Sequence, residues 1–437
     1  LARLVPIKGL TMTLRLISLI LAASAMIALP VSAQTHYVWA GLLIDPEKGQ
    51  VQSDRLIQIV DGRVVAITAY APPPAGAHLT DWSAYTVLPG LIDMHTHLVD
   101  VEQSSNVAEP LLHSAAEIAL LGAKHAKQTL DAGFTSVRDV GTFRAFGDVA
   151  LRDAINNGWV QGPRMMVAGA YLTVPGGGGE VTGLAPDVTV PADMRVGLVT
   201  SPAEMTLKAR YLFQHGADFI KLIATGAVLA AGTEPGAPEL TEDEVRAAVQ
   251  EAARNNSYAT AHAHGAEGIK IALRAGVRSI EHASLIDDEG IALAKAKGAF
   301  LVMDVYNGDY INEIGTRDHW PEDILRKNRD TTDLQRVGFT KAVKAGVKIA
   351  YGTDAGVYPH GNNAKQFAYM VRYGMTPMQA IQSATTVAAD LMRRSNDVGS
   401  LSPGHYADLI AVQGDPLKDI TVLERVVHVI KGGERVR

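Results

Sequence analysis

Five times along this chain a helical stretch is closed by glycine and followed at once by an apolar run of strand length, at Ala132-Gly133, His215-Gly216, Ala275-Gly276, Lys297-Gly298 and Ala345-Gly346. Glycine there takes the left-handed conformation that ends a helix, so each pair marks a helix-to-strand junction. Strand-like runs are predicted around 91–97, 134–140, 164–171, 219–224, 258–264, 278–283, 299–305 and 348–354. Strands alternating with helices are the pattern of βα units on a parallel sheet, and eight such units fit an α/β fold of the (β/α)8 TIM-barrel type. A doubly wound open sheet is the competing arrangement, but no GxGxxG follows the first strand.

Both ends of the chain differ from this repeating region. After residue 34, short β-rich runs alternate with turns such as Asp61-Gly62, and the C-terminus repeats the style in Ala407–Val412 and Val426–Gly433. The two ends are expected to pair into one small β-sandwich domain, residues 34–90 and 399–437, attached to a barrel of residues 91–398. Ahead of them, Arg15 precedes an apolar run from Leu16 to Leu29 that Pro30 ends, and Val31 and Ala33 frame a cleavage site before Gln34. That run is shorter than the roughly 20 residues a spanning helix needs, so residues 1–33 read as a signal peptide with upstream residues 1–11. The expectation is an exported protein, in a bacterial periplasm, with no membrane attachment after cleavage following Ala33.

Composition removes several function classes. The chain has 47% hydrophobic and 20% charged residues, which sets disorder aside, and a net charge of −6, which leaves no basic patch for nucleic acid. With no cysteine, disulfides, thiolate metal sites and cysteine nucleophiles are all excluded. A metal would have to sit on histidine, carboxylate or something less usual.

In a barrel of this kind the active site lies at the C-terminal ends of the strands, and those ends are rich in polar residues. The first reads Asp93-Met94-His95-Thr96-His97, where the period of two turns both imidazoles to one face. The fifth ends Ala261-His262-Ala263-His264, the sixth Glu281-His282, and the eighth Thr353-Asp354. On the fourth, FIKLIATG places Lys221 inside an otherwise buried strand. Burying an ammonium costs several kcal/mol, on the order of that for any lone ion, unless it is paired or its chemistry changes. A ring of histidines on different strands points to metal binding. The remaining histidines read as structural: His113 and His125 in a helical stretch, His215 and His405 beside glycine. His360, in the loop after the eighth strand, could serve the substrate or nothing, and the Gly176–Gly179 run reads as a mobile loop or lid, since no Lys-Ser/Thr follows as a phosphate cradle requires.

These motifs, LPGLIDMHTH, IKLIATG, AHAHG, IEHAS and YGTDAG in this order, with LSPGHYADLIAVQGDPL near the end, resemble the amidohydrolase superfamily over nearly the whole chain after the signal. Within it the chain most resembles the exported prolidase-like branch, which cleaves Xaa-Pro or Xaa-Lys/Arg dipeptides and N-acyl amino acids, and the ochratoxin A-degrading amidohydrolases. The resemblance implies two divalent metal ions, usually zinc. His95, His97 and Asp354 would hold the first, and His262 and His282 the second. Lys221, carboxylated by CO2, would bridge them as a carbamate. His264 is the rival of His262 and otherwise a candidate for substrate contact. The resemblance further implies a bridging hydroxide as nucleophile, with Asp354 as general base and acid, a small amide or dipeptide as substrate, and a homo-oligomer, possible as an octamer.

Two departures bear on the substrate. Relatives carry a histidine in the glycine-rich loop, which here is Val174-Pro175-Gly176-Gly177-Gly178-Gly179-Glu180, and a glutamate where this chain has Gln366. Tyr306 reads as a hydrogen-bond donor to the substrate or as a packed aromatic. Arg138 reads as a pocket wall or as an ion pair with Asp139. The competing functions are a mononuclear deaminase or cyclic-amide hydrolase of the same superfamily, which would not need Lys221, and an inactive binding protein on the same fold.

Overall fold

The computed structural model describes residues 35–437 apart from Ser105; the expected signal peptide lies outside the described residues. Four strands open the described chain: β1 (Thr35–Asp45), β2 (Gln50–Val60), β3 (Arg63–Ala69) and β4 (His78–Pro89). Short strands separated by helices follow: β5 (Leu91–Thr96), β6 (Phe134–Asp139), β7 (Arg164–Val167), β8 (Tyr171–Leu172), β9 (Ile220–Ile223), β10 (Ala259–Ala263), β11 (Ser279–His282), β12 (Phe300–Val302) and β13 (Lys348–Ile349). The chain closes with β14 (Leu409–Val412), β15 (Val426–Lys431) and β16 (Glu434–Arg435). The fold is therefore α/β, and each of the eight strand runs expected from the sequence contains a strand. The third is split into β7 and β8 around Gly169, whose φ is 79°. All five expected helix-closing glycines have positive φ, from 64° at Gly298 to 100° at Gly276.

The terminal strands join in one seven-stranded sheet of order β16-β15-β14-β4-β1-β2-β3. Hydrogen bonding thus links strands from both ends of the chain into one sheet. The joint is β4, long enough to pair in parallel with β1 and, through its last residues, antiparallel with β14. Val38, Ile57, Trp82, Leu409 and Ile430 give this sheet its own buried core. From Pro89 the chain passes straight through Gly90 into β5. A Cβ on Gly90 would lie 2.1 Å from Thr135 Oγ1, so this crossing accepts only glycine without rearrangement.

The parallel strands form two hydrogen-bonded arcs, β5-β6-β7 and β13-β12-β11-β10-β9-β8. Their strands are almost wholly buried, as expected when helices cover a parallel sheet. Beyond β13 the chain runs along β5, with Met94 N donating to Tyr351 O (2.9 Å), Asp354 N to His95 O (2.8 Å) and His97 N to Ala355 O (2.9 Å). Asp93 braces this contact by accepting from Thr353 Oγ1 (2.6 Å) and Asn363 Nδ2 (2.8 Å). The first and last strand regions are thereby held side by side, which sets the spacing of His95, His97 and Asp354.

A fully buried ion pair ties the two arcs together. Arg138 on β6 donates to Glu281 Oε1 on β11 (2.7 Å), to Ser279 Oγ (3.0 Å) and to Met94 O on β5 (2.7 Å). Neither charged side chain is exposed to solvent. Replacing Arg138 with Met keeps the bulk but leaves Glu281 as an uncompensated buried charge, so the variant should lose about 3–5 kcal/mol of stability. Denaturant unfolding of Arg138→Met measures the loss, and a double variant that also carries Glu281→Gln should recover most of it.

Candidate active site

Period-two geometry at the end of β5 turns His95 and His97 into one cavity, which Lys221, His262, His264, His282 and Asp354 also line. The histidines come from the C-terminal ends of β5, β10 and β11 or the residues just after them, Lys221 from within β9, and Asp354 from the segment after β13 that runs along β5. The imidazole Nε2 atoms of His95 and His97 each lie 3.2 Å from Asp354 Oδ1. His262, His264 and His282 cluster with ring centroids 4.5–4.7 Å apart. His282 and Asp354 hold left-handed backbones, φ 67° and 58°, a conformation that costs on the order of 1–3 kcal/mol for a residue with a side chain and persists where the surroundings enforce it.

Hydrogen bonds around this set decide which nitrogens face inward. His95 Nδ1 lies 3.0 Å from Glu281 Oε2, and His97 Nδ1 lies 2.9 Å from Gly141 O. Both partners only accept, so both Nδ1 atoms carry the proton and both Nε2 atoms present a lone pair. His95 Nε2 is buried without a hydrogen-bond partner among the described residues. Two imidazole lone pairs thus converge on a carboxylate oxygen, an arrangement of acceptors that a cation between them would satisfy. His282 Nδ1 is held by Asp304 Oδ1 (3.1 Å), which Gln335 Nε2 (2.9 Å) also engages, and Asn307 Nδ2 reaches both Asp304 Oδ2 (2.9 Å) and Asp354 Oδ2 (3.0 Å). Supporting groups of this kind fix ring orientation and tautomer at metal sites. His95, His97 and Asp354 form one group able to hold an ion, His262, His264 and His282 a second, and His282, Asp304 and Asp354 a third that overlaps both.

Protonation agrees with that donor chemistry. Burial, reinforced by His282 and His264, pushes His262 well below the usual histidine range. Burial, followed by His282, brings His264 down to about 3. Lys221 is 1% exposed, and burial lowers its amine to about 8 despite nearby Glu281 and Asp354. Among the described residues it has no ion-pair partner. A buried amine so placed keeps a neutral, nucleophilic fraction of roughly a tenth near pH 7, far more than an ordinary lysine does.

Three residues expected to meet the substrate do not line the cavity. Arg138 is consumed by its bonds to Glu281, Ser279 and Met94, and it does not pair with Asp139. Tyr306 packs edge-on against Tyr358 and Tyr369, at centroid distances of 5.0 and 5.2 Å. His360 is buried against His125 in a stacked pair 4.4 Å apart. His264 does reach the cavity, with Nδ1 held 2.8 Å from Ser284 Oγ. The glycine run also borders it: Gly178 and Gly179 lie in the wall, and Gly178 N donates to Glu239 (3.0 Å). Gln366 spans Met303 O (2.6 Å), Gly352 O (3.0 Å) and Tyr306 N (3.0 Å), and so ties strand ends together.

Sequence reasoning passed over Glu281, Asp304, Asn307 and Tyr171. Asp304 had a signal, since it lies near the end of the seventh strand run, where the other strand ends carry ligand-type residues. Glu281 and Asn307 act only through pairings across the fold, which no local pattern announces.

The Amidohydrolase family profile matches residues 86–436. Ochratoxinase of Aspergillus niger is 30% identical over 432 residues, covering 92% of this chain and 86% of the relative. Among solved structures, a Xaa-Pro dipeptidase with methionine bound in its active site is 39% identical with a TM-score of 0.86, covering 92% of this chain and 99% of the other. A prolidase complexed with N-methylphosphonate-L-proline is 29% identical with a TM-score of 0.86, again covering 92% and 99%. The histidine and aspartate groups of the cavity suit the metal ions that the family typically uses. On its own residues and on these likenesses, the chain belongs to the amidohydrolase family and is a hydrolase of amide or peptide bonds.

Proposed function

We propose that this chain is a binuclear metal-dependent amidohydrolase that cleaves dipeptides or N-acyl amino acids and releases the C-terminal amino acid, with ochratoxin A, an amide of phenylalanine, among its substrates. The observation that carries the reading is Lys221, a buried amine with a lowered pKa in the same cavity as two histidine-containing groups able to hold ions. A single-ion deaminase would have no use for it. The similarity to ochratoxinase and to a Xaa-Pro dipeptidase supports the substrate class.

In this reading His95, His97 and Asp354 would hold one ion and His262 and His282 the other, with Lys221, as a carbamate, a ligand that both could share. The neutral Lys221 amine adds to CO2 and releases a proton, becoming a carbamate with two oxygens. Divalent ions in these positions, zinc in our reading, would polarise the scissile carbonyl and acidify the attacking water. Asp354 takes the proton from that water and delivers it to the leaving amine, the transfer that amide cleavage requires. Asn307 restrains Asp354 through Oδ2, which leaves Oδ1 toward the imidazoles. His264, pinned through Nδ1, offers Nε2 to the substrate.

The wider architecture of the proposal is one closed (β/α)8 barrel over residues 91–398 and a two-part β-sandwich domain over 34–90 and 399–437. The hydrogen bonds between β5 and residues 351–355 support closure. Residues 1–33 direct export to the periplasm, and the mature protein assembles as a homo-oligomer. Among the described residues no helix is long and apolar enough to cross a membrane.

Asp354→Asn should lose turnover by about 10²–10⁴-fold, the usual worth of a positioned acid–base group, while elemental analysis still finds metal. Near-normal rates would remove Asp354 from this role. Lys221→Ala should fall below two metal ions per chain, with partial recovery in formate or acetate; full metal content in that variant would refute the bridge. A chromatographic screen of Xaa-Phe, Xaa-Pro, Xaa-Lys/Arg, N-acyl amino acids and ochratoxin A should reveal a released amino acid. Cleavage of esters or lactones alone would overturn the substrate class, and active protein with about one metal per chain would favour the mononuclear alternative.

A further inference from the structure

Tyr171 occupies a position that its packing alone does not explain. The pairing of β8 with β9 sets it directly opposite Lys221 in a parallel ladder, so both side chains leave the sheet on the same face. It lines the cavity, and its hydroxyl lies 3.1 Å from His97 Nδ1. The fold makes room for the ring: a Cβ on Gly141 would come within 2.8 Å of two of its carbons, and Gly141 has a φ of 117°. Phe143 packs edge-on against it at 5.5 Å. A phenylalanine would fill that space equally well, and what needs explaining is the hydroxyl.

The tautomer of His97 decides where that hydroxyl can donate. Gly141 O, 2.9 Å from Nδ1, accepts only, so Nδ1 carries the proton. Nδ1 therefore cannot accept from Tyr171, whose oxygen at most shares the N–H with Gly141. His97 Nδ1 is the one hydrogen-bond partner of the hydroxyl among the described residues, so its own proton is uncommitted on the cavity side.

We propose that Tyr171 is a catalytic residue that donates its hydroxyl proton in a hydrogen bond to the scissile carbonyl oxygen as negative charge develops there. This deepens the proposed amidohydrolase reading and rests on it. A donor fixed beforehand in a buried cavity stabilises the transition state without reorganising at the moment of reaction. No proton is transferred; the hydroxyl stays bonded to its ring throughout.

The test is Tyr171→Phe in the full chain, with kcat and KM on the best substrate of the screen, metal content, and calorimetric affinity for a phosphonate analogue of that substrate. We expect kcat to fall by about 10²–10³-fold, the usual loss of one such donor, with KM little changed. Phosphonate affinity should fall in parallel while metal per chain stays at the wild-type value. Unchanged kcat and phosphonate affinity would overturn the assignment. Loss of metal in the variant would also overturn it, because Tyr171 would then serve to hold His97. Wild-type protein that cleaves none of the screened amides would instead overturn the functional reading, and this inference with it.

Discussion

Glu281 is the point where stability and chemistry meet in this molecule. Its buried carboxylate accepts from Arg138, Ser279 and Thr260 on one side and from His95 on the other. Burial alone would favour the neutral acid, yet the Arg138 guanidinium, followed by His95, holds it well below the ordinary range. The pair therefore joins β5, β6, β10 and β11 and also sets the tautomer of His95. A buried ion pair is a weak source of net stability, because desolvation offsets much of the attraction. Here it has a second use, since an imidazole whose Nδ1 is committed to a carboxylate must turn Nε2 to the cavity.

The same economy of charge runs through the histidine cluster. Three rings packed within 5 Å of one another could not all be cationic, and burial keeps His262 and His264 neutral at ordinary pH. The site is thus a collection of unprotonated donors awaiting positive charge, enclosed by supports such as Asn307 and Gln335 that do not titrate. Burial works in the same direction on Lys221, whose amine is brought down to about 8.

Much of this was legible in the chain because it is local. Alternation places His95 and His97 on one face, and a glycine after a helix announces the strand that follows, so strand positions and the residues at their ends could be read directly. What escaped depends on residues distant in sequence. From the sequence Arg138 reads either as a pocket wall or as an ion pair with Asp139, whereas its carboxylate partner lies 143 residues on. Tyr306 and His360 follow strands eligible to carry site residues, but each ring packs against an aromatic neighbour from elsewhere in the chain and does not line the cavity.

The left-handed backbones at His282 and Asp354 restrict the site in a further way. That region of conformational space is open mainly to glycine, asparagine, aspartate and histidine. A glutamate could supply the same carboxylate chemistry as Asp354 but would sit less easily on that backbone. The identities of these two residues are thus selected by the turn as well as by what they bind. Drift in ligand type should be confined to short polar side chains there, and freer at His262, which stands within a regular strand.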